Sequence, residues 1–192
     1  MTTAGRRPLT VLVAGALLVT SGCSGKDDAQ APNTPTPPQY VTLSYTPPAD
    51  MTEVSLPAST PSGGVRSEVK LFRSSDGCQL RVVRLLIDKG DGTEDQDATY
   101  NMLGAIMKVS GISTFQANGL MVPGDPGPVP TLTASGATST DALRAAGRLS
   151  NESLQGYQLV YGCPKAKMVE KNWTALTDSL RVDGFTGSLE EH

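Results

Sequence analysis

Histidine is nearly absent from this chain: the single one, His192, is the last residue. A serine or cysteine nucleophile therefore has no internal imidazole to take its proton, and no G-x-S-x-G elbow occurs to present one. With three cysteines and no C-x-x-C pair, a zinc ligand set is lacking as well. The glycine stretches GDGT and GDPGP lack the spacing and the succeeding helix of phosphate or dinucleotide loops. Polybasic segments are missing too, and 16 Lys and Arg stand against 19 Asp and Glu for a net charge of -3, so no nucleic acid partner is expected. Only one long apolar run exists, near the N-terminus, so one membrane attachment is implied. Together these absences point away from catalysis and imply no cofactor; an envelope hydrolase or a cation-binding domain is the alternative.

What is present begins with an address. Residues 1–22 carry Arg6 and Arg7 at the start, then VLVAGALLV, then small residues, which is the layout of an export signal and not of a fold element. Thr20-Ser21-Gly22-Cys23 resembles the bacterial lipobox, with Thr20 where Leu, Val or Ile is usual. The resemblance implies a diacylglycerol on the Cys23 sulfur and cleavage before it, and so a lipid-anchored protein on the extracytoplasmic face of the cell membrane. The mature chain then keeps 170 of 192 residues and, without the two arginines, a charge of -5 instead of -3. Residues 23–39 hold the lipidated cysteine and a polar, proline-rich tether, SGKDDAQAPNTPTPPQ. A single domain is expected over 40–182, with a flexible tail over 183–192.

Once Cys23 is assigned to lipid, Cys78 and Cys163 remain as an even pair in an oxidising compartment, and a disulfide between them is expected. Two buried free thiols, or half of a metal site, are the alternatives.

Along the domain, Val41, Leu43 and Tyr45 alternate in a first strand halted by Pro47-Pro48. Ala49 to Gly64 is mostly loop. Val65 to Arg73 and Cys78 to Ile87 flank a Ser-Ser-Asp-Gly turn and form a hairpin. Met102, Leu103, Ile106 and Val109 share the face of a helix over 98–109, capped by Asp97 and stopped at Gly111. Thr138 to Leu149 fits either helix or strand; a disulfide to Cys163 favours a second hairpin from about Ala142 to Tyr161. Lys165 to Leu180 spaces Val169, Trp173, Leu176 and Leu180 as one helical face, with Trp173 a core anchor.

Two stretches are candidate sites. Asp88, Asp91, Glu94, Asp95 and Asp97 offer oxygens to a hard cation, but Gly90 breaks the calcium-loop register and the distal Glu is absent, so a solvated loop before a helix is the preferred reading. Thr114 to Pro130 is rich in glycine and proline, which predicts an irregular segment. Its Phe115, Leu120, Met121 and Val122 are candidates to line an apolar ligand or partner surface; the alternative is that they staple a long loop to the core.

The lipobox, the Pro/Thr spacer, the opening YVTLSYTPPADM, the central hairpin and a last strand running into a helix that ends TALTDSLRV resemble the small actinobacterial lipoproteins with the Mog1/PsbP-like fold, of the LpqN/LpqT type. Leu180 stands where an aromatic is common there, and no Trp follows Ala49-Asp50. The resemblance implies an α+β fold, an antiparallel β-sheet flanked by helices in a two-layer or three-layer sandwich, without catalytic machinery. It also implies a cell-envelope role in docking a protein or binding a lipid-like ligand.

Overall fold

A computed structural model describes residues 39–56 and 63–187. The export signal, Cys23, the tether up to Pro38 and the last five residues lie outside the described residues, as do residues 57–62 of the first loop. Ten strands and two α-helices are described: β1 (Thr42–Ser44), β2 (Met51–Val54), β3 (Val65–Ser74), β4 (Gln79–Ile87), α1 (Asp95–Val109), β5 (Gln116–Val122), β6 (Gly124–Asp125), β7 (Val129–Ala137), β8 (Asp141–Ser150), β9 (Gln155–Pro164), α2 (Glu170–Asp178) and β10 (Arg181–Asp183). The arrangement is α+β.

Seven strands form one antiparallel sheet in the order β2-β3-β4-β9-β8-β7-β5. Each neighbour is reached by a hairpin except at the centre, where β4 pairs with β9 and the stretch between, containing α1, closes back onto the sheet. Strands β1, β10 and β6 form a second, mixed sheet, antiparallel between β1 and β10 and parallel between β10 and β6. Gly124 is required there, because a Cβ on it would run into the carbonyl oxygen of Val182.

Period-two alternation sorts β9 into two cores. Tyr157, Leu159 and Tyr161 point to a cluster that includes Leu176 and Leu180 around α2 and Val41 and Val182 of the small sheet. Val160, between them, packs on the other cluster, with Leu103 and Met107 of α1 and with Ala134 and Ala145. The two helices therefore flank opposite faces of the large sheet.

Both expected hairpins form, and the ambiguous 138–149 stretch is β8. Four expectations are corrected. The irregular segment over 114–130 instead contains β5 and β6 and leads into β7, because glycine and proline fall at a strand edge and in the Pro123 and Asp125–Pro128 turns, where missing donors and side chains are tolerated. Helix α1 starts at Asp95 with Glu94 as its N-cap and no side-chain cap bond, so Asp97 is a first-turn residue, and at its other end Val109 is 90% exposed instead of sharing the face of Leu103. The last helix begins at Glu170, after a single 3₁₀ turn over Lys165–Lys167, and Val169 is 48% exposed instead of facing the core. Finally, order extends past Val182: Phe185 is 2% exposed and belongs to the α2 cluster.

Candidate functional site

An open hollow on the described residues lies at the β2 end of the large sheet, a cleft of about 1100 Å³ between β1 and the β3–β4 hairpin. One wall is apolar: Leu43 and Tyr45 come from β1, whose alternation sends them toward the sheet. Val54 and Leu56 form the rim where β2 ends. The remaining surface mixes charge with apolar groups, because β3 and β4 contribute Glu68, Lys70, Arg81 and Arg84 together with Val69, Leu71 and Val82.

Arg84 organises this end of the domain. Its guanidinium pairs with Glu68, donates to the Val41 carbonyl at 3.2 Å, and lies 5.5 Å from the centroid of the Tyr40 ring. One side chain thus ties the first described residues to the sheet hairpin, through charge, hydrogen bond and cation–π contact at once. Tyr45 meets Phe72 edge-on at 6.2 Å, and burial, followed by the nearby Glu53 carboxylate, raises its phenol above the ordinary tyrosine range. Its hydroxyl stays protonated at neutral pH. The cleft thus sets apolar and charged side chains beside each other.

The four apolar residues proposed from sequence do not line this cleft, nor do they share one face of the sheet. They sit at the opposite edge of the sheet, on or beside β5, where alternation separates them. Leu120 and Val122 turn into the α2 cluster, and Val122 is 1% exposed. Phe115 packs in the α1 cluster, with its ring 5.3 Å from that of Tyr100. Met121 is the exposed one, at 47%.

The acidic run is likewise divided among protein partners. Asp88 pairs with Arg66 at 3.6 Å. Asp91 accepts the Thr93 amide at 3.0 Å, the Thr93 hydroxyl at 2.6 Å and the Asn151 side-chain amide at 2.8 Å, and the Thr93 hydrogen bonds hold its carboxyl below the usual range. Asp95 accepts the Asn151 backbone N–H at 2.8 Å and faces Arg148 at 3.6 Å. Glu94 and Asp97 are exposed at the start of α1. Among the described residues no three His, Cys, Asp or Glu side chains converge to hold a metal ion.

Cys78 and Cys163 are joined as a disulfide with 4.1 Å between their Cα atoms, 4% and 3% exposed. Their neighbours Gln79 and Gly162 are directly paired in the sheet, which brings the two thiols together across adjacent strands. The cleft was missed from sequence, although a signal was present: Arg81 and Arg84 interrupt the apolar run of β4, an interior strand whose faces therefore reach solvent at those positions. A second feature, the buried hydrogen bond between Thr131 and Tyr157 beneath Arg148, carries no sequence signal, since its partners lie on three different strands. No protein-family model and no curated protein sequence matches the chain.

Proposed function

We propose that this chain is a non-enzymatic cell-envelope lipoprotein, held on the outer face of the cytoplasmic membrane by a lipid on Cys23, whose domain docks a protein or binds a small apolar ligand. The observation that carries this reading is the buried Cys78–Cys163 disulfide. Such a bond belongs to an oxidising compartment, and it leaves Cys23 as the one further cysteine of the chain, directly after a basic, apolar and small-residue sequence. The finer fold assignment, a Mog1/PsbP-like sandwich, belongs to the same proposal. It is supported by helices on both faces of an antiparallel sheet, by an opening strand β1, and by a last long strand β9 that leads into α2.

The cleft between β1 and the β3–β4 hairpin is the place where a ligand or partner segment would sit, because it offers apolar walls beside fixed charges.

Two measurements test the proposal. Expressed in a bacterium with lipoprotein processing, the chain should partition into detergent and carry acyl mass on its N-terminal cysteine, while Cys23→Ala should lose both; a wild-type chain without acyl mass removes the anchor. Native mass spectrometry of protein recovered from cell envelope, before and after organic extraction, then reads the task. A retained apolar mass supports ligand carriage, a co-purifying protein lost on Leu43→Asp supports docking at the cleft, and recovery with neither defeats the binding assignment.

A further inference from the structure

The two edges of the large sheet are built differently. Strand β2 is four residues long and carries Glu53, a short and charged edge of the kind that discourages pairing with another chain. Strand β5 has none of these protections. It runs for seven residues, QANGLMV, without a charge or a proline, and pairs with β7 in unbroken register from Gln116↔Ser135 to Val122↔Val129, so no bulge turns its free side away. No residue between Lys108 and Asp125 is charged.

The direction of its backbone groups can be read from one contact. The Thr133 hydroxyl on β7 donates to the Asn118 carbonyl at 3.1 Å, so Asn118 points its carbonyl inward. Alternation then turns the N–H and C=O of Ala117, Gly119 and Met121 outward, away from β7. Among the described residues no strand pairs with that side, and such a row of donors and acceptors fits an extended strand and little else.

We infer that the outer edge of β5 pairs with the same edge of a second copy of this chain, antiparallel about a two-fold axis at Gly119. Three features select the copy. Gly119 is the centre of the seven residues, so a two-fold axis there overlaps the strands over their full length, with Ala117 opposite Met121 of the other copy. The strand is neutral, so it meets itself without like-charge repulsion. A Cβ at Gly119 would meet nothing within 4 Å, which leaves room at the axis for the half-exposed Met121 side chains. The paired dimer would continue the antiparallel sheet across the interface.

The test uses the full chain in mild detergent, with Cys23→Ser so that an added cysteine is the only free thiol. Under a gentle oxidant, Gly119→Cys should form a disulfide-linked dimer, whereas Val109→Cys, at a position 90% exposed near the end of α1, should stay monomeric. In light scattering across a concentration series, the chain without either added cysteine should dimerise, and Gly119→Lys should weaken that dimer at least ~10-fold by setting like charges opposite each other, while the thermal midpoint measured at dilutions where both chains are monomeric stays unchanged. Equal cross-linking at positions 109 and 119, a chain monomeric at every concentration, or a dimer indifferent to Gly119→Lys would each overturn the inference.

Discussion

Tyr157 shows how far a single side chain can be governed by its surroundings. It is fully buried on β9, bonds the Thr131 hydroxyl, and has its phenol pushed up to about 12 by burial, against which the Thr131 bond and Arg148 pull it down. The unfolded chain gives up this proton near the ordinary value of 10.0, whereas the folded chain holds it to about 12. Stability from this group is therefore whole below pH 10 and declines as pH rises toward 12, by roughly 2–3 kcal/mol in total. Urea titrations between pH 8 and 11.5 should show that decline, and Tyr157→Phe should flatten it while costing about 1 kcal/mol at neutral pH for the lost hydrogen bond. An unchanged alkaline slope in the variant would contradict the assignment. None of this was legible in the sequence, because a tyrosine in a strand looks the same whether its hydroxyl meets water or Thr131.

At the scale of elements, hydrophobic period decided what could be read. The β3–β4 hairpin was legible because alternation and a Ser-Ser-Asp-Gly turn agree. The 138–149 stretch is spaced for either helix or strand, and it became β8 through pairing with β9 along its length. Strand β5 was hidden: Ala, Asn and Gly have weak strand preference, and the ladder with β7 supplies what propensity does not. The C-terminal boundary failed for a similar reason. Gly184 follows β10 at a φ of 77° and reads as the start of a tail, yet it turns the chain so that Phe185 enters the α2 cluster, while Gln155 accepts the Thr186 amide at 3.2 Å. Phe185→Ala should accordingly cost about 3–5 kcal/mol in chemical denaturation, as a core truncation does, whereas a frayed tail would give less than about 0.5 kcal/mol.

For the whole molecule, the disulfide is the long-range constraint. It joins residues 85 apart in sequence, Cys163 on β9 and Cys78 directly before β4, the two strands paired at the centre of the sheet. In the chain-entropy account, such a crosslink removes conformations from the unfolded chain and contributes up to ~4–5 kcal/mol. Thiol reductant should lower the denaturation midpoint of the wild-type domain, and the Cys78→Ala/Cys163→Ala variant should start at that lower midpoint and ignore reductant. A variant as stable as the oxidised wild type would show that the paired strands suffice alone.

The sequence by itself determined the apolar alternation of the hairpins, the Leu103 and Ile106 part of the helical stripe of α1 but not Val109, Cys163 as the expected partner of Cys78, and the basic, apolar and cysteine-ended start. All of these are local patterns or simple counts. The tertiary structure alone decided which strands share an edge, where Phe115, Leu120, Met121 and Val122 part company, and where the cleft opens. A strand's neighbours lie up to a whole chain length away, and whether one face of a residue meets water or a core is set by those neighbours rather than by the residue itself.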